Sequence, residues 1–519
     1  MDDQTITFVI LAVAVVVFIL DRVPVALAAV GVALALWATD VLDLNQALAG
    51  FGDPAVLFIA SLFVVSEALD ASGVTAWAGQ QLVDNAGGSR SRVLILTMLL
   101  SAALTALITP NGSVAALVPV VVVTAVRIGA SPSQLLLPLA FAAHAGSLLL
   151  LTASPVNVIV SETAADAGVG SIGFFAFALT GVPLLIGTVV IVALVGARLV
   201  PDRVPRVLPV DFSTHARTLA AQYGLADPDR LLTREYGLAE IVIPPRSELV
   251  GETTFPGMVT ERGDLVVAAV RRHDIDQAGD TVLAVGDTLL LRGDWGALAA
   301  GLDDLDVLVV DPPDQVRRQA VPLGPGAKRA IAILAGMVVL LATGAVPPAV
   351  AGLLAAGAIV VTGVLTIEQA YRGIGWTTVI LVAGMIPLST AMTTTGAAES
   401  LADRLVDVAG GHGPRLLLLA IVLLVFALGQ LISNMATALI VLPIAVSAAG
   451  ELHVSPKPLL IAVAVAAAAS FLTPVATPAN LMVMEPGGYR FGDYWKLGLP
   501  LLALYGVVAV VLVPLIWSF

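Results

Sequence analysis

The two ends of this chain are copies of each other, separated by a constant offset along the sequence. The tetrapeptide Ser-Pro-Val-Asn at 154–157 matches Thr-Pro-Ala-Asn at 477–480, and Asn111 matches Asn434. The offset is the same for each pair, since 434 − 111 = 323 and 480 − 157 = 323. A fixed long offset of this kind indicates two copies of one structural unit. The matched polar residues lie inside apolar stretches, so they mark where to look for a binding site.

The composition is that of a membrane protein. Of the 519 residues, 58% are hydrophobic and 12% are charged, whereas soluble domains carry about 25% charged residues. The absence of cysteine excludes disulfides and thiolate metal sites, and the net charge of −13 argues against a nucleic-acid partner. The apolar run after Asp3 lacks a basic segment before it, so we expect a first membrane span rather than a cleaved signal peptide.

Apolar stretches of the length that a bilayer requires, about 20 residues with some allowance for tilt, recur in both halves. The first half contains predicted spans at 5–20, 24–38, 54–70 and 173–199, and longer stretches at 92–128, broken at 109–113, and 135–160, broken at 152–155. The second half repeats this order with spans at 330–345, 347–362, 377–395 and 498–517, and with broken stretches at 415–449 and 459–484.

The charge distribution favours two halves of opposite orientation. If 92–128 and 415–449 are re-entrant hairpins, each half crosses the membrane an odd number of times. With the N-terminus outside, the loops at 39–53 and 161–172 also lie outside, and neither contains Lys or Arg. Most basic residues then lie inside; the exceptions are Arg404, Arg415 and Lys457. The positive-inside rule supports this topology and places the segment between the halves in the cytoplasm.

That middle segment has a different character. It contains short β-like runs and one helix start at Asp294-Trp295; the runs lie at 240–243, 265–271, 288–292 and 307–310. We therefore predict a transmembrane repeat over 1–200, a cytosolic linker and small α/β domain over 201–329, and a second transmembrane repeat over 330–519. The segments 238–244, 247–253, 267–272 and 280–293 resemble the RCK C-terminal (TrkA-C) domain, with a core at 237–310. The resemblance implies a module that dimerises and binds a small cytosolic effector.

The four breaks are where polar chemistry is expected. An interrupted helix in a bilayer exposes backbone groups that need new partners; helix N-termini suit anions, and carbonyls at C-terminal ends suit sodium. The segments 110–113 and 433–437 combine a helix-breaking or capping residue with an asparagine, and so do 154–157 and 477–480. Such residues can also serve only to hold helices together. Four breaks in two matched pairs favour a binding site.

Two of these segments carry a second resemblance. Residues 433–444 are similar to the Ser-Asn-Thr hairpin-tip motif of the divalent anion/sodium symporter (DASS) family, and residues 472–480 resemble its unwound-helix motif. The resemblance implies an all-α polytopic fold of two inverted repeats with re-entrant hairpins and unwound helices. It also implies a homodimer with elevator-type alternating access. In that family the hairpin tips and unwound segments bind sodium, and the substrate anion lies between the tips.

Carried over to this sequence, the resemblance implies a set of substrate- and ion-binding residues. In the first repeat these are Asn111, Gly112, Ser113, Ser154, Pro155 and Asn157; in the second they are Ser433, Asn434, Met435, Thr437, Thr477, Pro478 and Asn480. The sequence departs from the family pattern at the first tip, which lacks hydroxyls beside Asn111, and at Met435, where threonine is expected. These departures leave open which anion is carried and whether Na⁺ or H⁺ drives it.

His144 lies in an apolar stretch just before the first unwound segment, and its counterpart in the second repeat is Ala467. An ionisable residue inside a membrane is a functional candidate, and a neutral imidazole can relay protons. The alternative, which we favour from the sequence, is a structural histidine bonded to a neighbouring backbone carbonyl.

These observations predict a secondary transporter of the plasma (inner) membrane, not an enzyme, because the sequence contains no Walker loop, zinc-ligand spacing or catalytic triad. We expect a small inorganic or carboxylate anion, such as sulfate or a di- or tricarboxylate, and Na⁺ or H⁺ as coupling ion without other cofactors or a metal site. Two alternatives are a cation/proton antiporter on the same scaffold and a transceptor that reports to the middle domain. A potassium channel would need a Thr-Val-Gly-Tyr-Gly filter, which the sequence lacks.

The topology is testable with an epitope tag inserted within 201–329. Because basic residues flank this segment on both sides, we expect the tag to be labelled only after cells are permeabilised. A tag in the loop at 161–172 serves as the external control. Labelling of the middle tag in intact cells would contradict the topology.

Overall fold

A computed structural model gives the fold, and it describes residues 2–519 with a set of gaps. The gaps are 21, 76, 79–80, 82–88, 204–218, 220, 224–231, 234–235, 261–263, 274, 278, 305–306, 314–315, 317–322, 325, 409–412 and 475. Much of the predicted linker, and position 475 of the second unwound stretch, therefore lie outside the described residues. The chain separates into two units: 1–68, 81–209 and 329–519 form the first, and 69–80 and 210–328 form the second.

The first half is helical and broken at both predicted positions. Its helices are α1 Asp3–Leu20, α2 Val25–Ala38, α3 Leu44–Leu48, α4 Pro54–Ala71, α5 Arg90–Leu107, α6 Pro110–Arg127, α7 Ser133–Gly146, α8 Pro155–Asp166 and α9 Ala178–Leu199. Between α7 and α8 the chain leaves the helical path, apart from a short 3-10 turn at Leu151–Ala153. We call residues 108–113 the first tip and residues 147–154 the first unwound segment.

The last half repeats this order. Its helices are α11 Ala327–Thr343, α12 Pro348–Val361, α13 Ile367–Gly373, α14 Trp376–Thr394, α15 Ala397–Val408, α16 Pro414–Gly429, α17 Asn434–Glu451, α18 Lys457–Ala467, α19 Pro478–Met484 and α20 Phe491–Ile516. We call residues 430–437 the second tip and residues 468–477 the second unwound segment. In the described part of the chain, seven helices are long and apolar enough to cross a membrane, and five apolar helices are shorter. The predicted polytopic helical fold is confirmed at this level; the inverted orientation stays a prediction.

The two halves interlock through matched close contacts. A methyl group added to Gly384 on α14 would lie 2.7 Å from the backbone carbonyl of Ala29 on α2. One added to Gly352 on α12 would collide with Ser61 and Phe58 on α4. Ala29 and Gly352 are repeat counterparts, as are Ser61 and Gly384. The same crossing of small residues therefore occurs twice, once from each repeat, and it allows the helix backbones to approach closely.

The second unit contains a small antiparallel sheet. Its strands are β1 Tyr236–Val242, β2 Thr253–Thr254, β3 Leu265–Arg272, β4 Ile275–Asp276, β5 Thr281–Val282, β6 Thr288–Asp294 and β7 Leu308–Val309, with helix α10 at Trp295–Asp304. Five of them form a sheet in the order β4-β3-β6-β1-β7, and β2 pairs with β5. Trp295 and Leu298 of α10 are buried against β1, β3 and β6. The four β-like runs and the helix start thus coincide with β1, β3, β6, β7 and α10; the resemblance to the RCK C-terminal domain stays a prediction.

An ion pair between Arg272 and Asp287 stabilises the turn before β6. The carboxylate of Asp287, which is 1% exposed, accepts hydrogen bonds from Arg272 Nε at 2.7 Å and Nη2 at 2.6 Å. These bonds hold the pKa of Asp287 below its usual value. A buried carboxylate with fixed donors stays charged at neutral pH and fixes the turn against β3.

Glycines on the last helix of each repeat permit close packing on the unwound segments. A methyl group added to Gly181 on α9 would collide with the carbonyl of Leu148, and one added to Gly498 on α20 with that of Phe471. Leu148 and Phe471 are repeat counterparts. Both unwound backbones are therefore held at the same point by a neighbouring helix.

We expect Gly181→Ala and Gly498→Ala each to destabilise the protein by about 1 to 3 kcal/mol, because the added methyl group must displace backbone. Gly357→Ala is the matched control, since a methyl group there meets nothing within 4 Å. Thermal unfolding of the purified protein in detergent measures the difference. Equal melting temperatures for all three variants would contradict the packing.

Candidate functional site

The first tip is a helix start capped by its own residues. Thr109 Oγ1 accepts a hydrogen bond from Gly112 N at 3.3 Å, and Pro110 occupies the first position of α6. Ser113 is fully buried, and its hydroxyl is bonded to Thr105 Oγ1 at 2.5 Å and to the carbonyl of Pro110 at 3.2 Å. It therefore ties α6 to α5. Asn111 and Gly112 are half-buried at the tip.

The second tip is bonded to the second unwound segment. Ser433 Oγ accepts from Ala436 N at 3.3 Å and caps α17. Asn434 Oδ1 accepts a hydrogen bond from the hydroxyl of Ser470. Met435 and Thr437 are buried, and Thr437 Oγ1 has no hydrogen-bond partner among the described residues.

The two unwound segments are closed by asparagines in the same way. Asn157 Nδ2 donates to the carbonyls of Ser147 at 2.7 Å and Leu150 at 3.0 Å. Asn480 Nδ2 donates to the carbonyls of Ser470 at 2.7 Å and Thr473 at 3.1 Å. All three positions are related by the offset of 323 residues. Each asparagine thus supplies donors to carbonyls that the helix break leaves without helical partners.

Hydroxyl groups cap the helices that follow the unwound segments. Ser154 Oγ accepts from Val156 N at 3.2 Å, and Thr477 Oγ1 accepts from Asn480 N at 3.3 Å. Pro155 and Pro478 are the first residues of α8 and α19. These matched residues set where each helix restarts and in which direction it leaves the break.

His144 joins the two repeats. It is 2% exposed on α7, and its Nε2 lies 3.1 Å from Asn480 Oδ1 and 3.4 Å from Thr477 Oγ1. The two carbonyls around Asn480 Nδ2 fix the orientation of that amide, so its oxygen faces the imidazole. His144 Nε2 must therefore carry the hydrogen. The partner of Nε2 is thus a side chain 336 residues away and not the neighbouring backbone carbonyl of the structural alternative.

Hydrogen bonds connect these residues into one series that crosses between the repeats. It runs from Asn434 to Ser470, from Ser470 to Asn480, and from Asn480 to His144. The helices that begin at the breaks also pack across the repeats: α6 contacts α19, and α17 contacts α8. The structure thus brings the predicted residues of the second repeat together with α7 and α8 of the first. Asn111 lies in the first turn of α6, the helix that contacts α19.

Two residues that support the second unwound segment and α19 were not predicted from the sequence. Gln430 Nε2 donates to the carbonyl of Ala469 at 3.0 Å, and its Oε1 accepts from Leu472 N at 3.0 Å. The hydroxyl of Tyr494 donates to the carbonyl of Asn480 at 2.7 Å. Gln430 is an isolated amide at the end of an apolar helix, which is a usable signal. The contact of Tyr494 has no local signal.

Comparison with known proteins shows to which family the chain belongs. The chain matches the citrate transporter family, CitMHS, over residues 15–403 and again over 338–519. The chain belongs to this family. It is a transporter and not an enzyme, as the sequence predicts. It is 30% identical to the uncharacterized transporter YfbS of Escherichia coli (strain K12), over 98% of both chains.

The chain is also similar to a sodium/sulfate cotransporter in sequence and to one solved structure in fold. It is 27% identical to sodium/sulfate cotransporter 1 of Chlamydomonas reinhardtii, over 52% of this chain and 32% of that protein. The crystal structure of the YdaH transporter of Alcanivorax borkumensis superimposes with a TM-score of 0.50 at 13% identity, covering 91% of this chain and 88% of that one. This likeness shows a shared fold.

Replacing Tyr494 tests whether α19, which follows the second unwound segment, depends on this hydrogen bond. Tyr494→Phe removes only the buried hydroxyl, and we expect it to lower the free energy of unfolding by about 0.5 to 1.5 kcal/mol. Tyr371→Phe is the matched control, because Tyr371 is 60% exposed on α13. Thermal unfolding in detergent compares them; equal stability would contradict an anchoring role.

Proposed function

We propose that this citrate-family transporter is a symporter that carries a small anion, sulfate or a di- or tricarboxylate, together with Na⁺ or H⁺. The observation that carries the proposal is a pair of repeat counterparts, Asn157 and Asn480, each of which donates hydrogen bonds to two carbonyls of an unwound segment. We call these two residues the asparagine clamps. Breaks kept twice in an apolar core support a solute site at the interface of the repeats.

The electrostatics of the breaks favour an anion accompanied by a cation. The residues proposed for the site are neutral: amides, hydroxyls, Gly, Pro and Met. Positive charge for an anion would then come from the N-terminal ends of α6, α8 and α17 and from a bound cation. The relatives support this proposal, because they include a sodium/sulfate cotransporter and the family is described as citrate transporters.

The proposed residue roles follow the resemblance. Asn111 and Asn434 contact substrate and ion at the tips, with Gly112, Ser113, Ser433, Met435 and Thr437 around them. By the same resemblance, Ser154, Pro155 and Asn157 form one candidate ion site, and Thr477, Pro478 and Asn480 form the other. Because the polar contacts join α7 to the second unwound segment, we propose that the site helices move as one body, in an elevator-type cycle.

The remaining parts of the proposal concern the assembly. We propose a homodimer in the plasma (inner) membrane with the middle unit in the cytoplasm. The antiparallel sheet of that unit and its sequence resemblance to the RCK C-terminal domain support a role in dimerisation or in binding a small cytosolic effector.

Radiotracer uptake into proteoliposomes tests the proposal directly. Sulfate, succinate and citrate are supplied in turn under an imposed Na⁺ gradient, an imposed H⁺ gradient or neither. We expect accumulation of one of these anions only when one gradient is present. No uptake of any of them, with specific anion binding retained, would instead favour a transceptor.

Substitution of the tip asparagines tests the site. We expect Asn111→Ala and Asn434→Ala each to reduce uptake at least about tenfold, since each removes a donor and acceptor from the solute site. Ser389→Ala on α14 serves as the control for expression and insertion. Normal uptake by either tip variant would contradict the assignment.

An antiporter on the same scaffold remains the second candidate, because His144 is an ionisable residue within the hydrogen-bonded series. Cation/proton exchange that survives both tip substitutions and is lost in His144→Gln would favour it.

A further inference from the structure

The two asparagine clamps differ in what their side-chain oxygens contact. Asn480 Oδ1 lies 3.1 Å from His144 Nε2. Asn157 is 1% exposed, and its Oδ1 has no hydrogen-bond partner in the described part of the chain. The counterpart of His144 in the second repeat is Ala467, the last residue of α18, and α18 packs against α8. The position in the second repeat that corresponds to His144 therefore carries a methyl group and no hydrogen-bond donor.

The unpartnered atom is an oxygen. Two backbone carbonyls lie within 3.0 Å of one terminal atom of Asn157. Only the amide nitrogen can donate to both, so the other terminal atom is the carbonyl oxygen. A buried acceptor of this kind is unfavourable unless a donor or a cation supplies a partner.

A second unpartnered oxygen lies on the neighbouring helix. Thr437 Oγ1 is fully buried and without a partner in the described residues. It lies in the first turn of α17 and faces Gly429 at the end of α16. Helix α17 also packs against α8, whose first turn contains Asn157. Neither first turn contains an acidic residue. Neutral oxygens at helix breaks suit a monovalent cation such as Na⁺ better than a divalent one, which prefers carboxylates.

We propose that a hydrogen bond from His144 takes the place of the cation at one of two duplicated sites. Its Nε2–H satisfies Asn480, so that clamp needs no ion, whereas Asn157 keeps an open acceptor and binds one Na⁺ per chain. This inference rests on the proposed cation-coupled transport, and it specifies which repeat holds the ion. The observation that distinguishes the two sites is that the first repeat has His144 where the second repeat has Ala467.

Equilibrium binding of ²²Na⁺ to the purified full-length protein tests the stoichiometry. Choline chloride holds the ionic strength constant, and no substrate is added. We expect saturation at one Na⁺ per chain. Saturation at two, or no saturable binding, would overturn the proposal.

Variants at the two counterpart positions test the mechanism. In His144→Ala, Asn480 Oδ1 loses its donor, and we expect binding to rise to two Na⁺ per chain. His144→Gln keeps an N–H donor and should remain at one. In Ala467→His, an imidazole can satisfy Asn157, and we expect binding to be lost. A rise to two in both His144 variants, or unchanged binding in both His144→Ala and Ala467→His, would refute the role of the donor.

The binding measurement is independent of the transport measurement. If no anion is taken up by proteoliposomes but one Na⁺ binds and follows these variants, the transport proposal fails and the site assignment holds. If Na⁺-driven uptake occurs but wild-type protein binds two ions, the site assignment alone fails. Should Ala467→His not fold, the wild-type stoichiometry and His144→Ala still decide.

Discussion

A backbone group that leaves a helix inside an apolar core must find a new hydrogen-bond partner, and the centre of this protein is built around that requirement. Asn157 and Asn480 each donate to two carbonyls of an unwound segment. Hydroxyl groups cap the helices that restart after the breaks. Many residues that we propose as ligands therefore also hold the backbone, and substitution at these positions removes a backbone contact as well as the proposed ligand.

The two repeats contain helix breaks with the same backbone hydrogen bonds but with different side chains around them. Gln430 links the second tip to its unwound segment by two hydrogen bonds, and the corresponding residue of the first repeat is Leu107, which has no polar side-chain atom. The second repeat also receives His144 from the other repeat. Identical clamps thus have unequal surroundings. In the arrangement that we propose, one site binds an ion and the other is closed by a hydrogen bond within the chain.

The sequence predicted the helices and their breaks well, because these depend on local properties. The lengths of apolar runs fix the spans, and prolines such as Pro155 and Pro478 exclude the preceding residue from helical geometry. Strands β1, β3 and β6 followed from short β-branched and apolar runs between turn residues. The hydroxyl of Ser113 was less predictable: it is bonded to Thr105, within the same helical pair, rather than left open at the tip.

The sequence by itself determined that two matched polar breaks occur in two matched apolar halves, since both facts are properties of residue order. Only the tertiary structure decided which break has which partner. His144 and Asn480 meet across 336 residues, and that contact depends on how α7 packs against α19. Packing between distant helices sets such distances, and no local propensity along the chain records them.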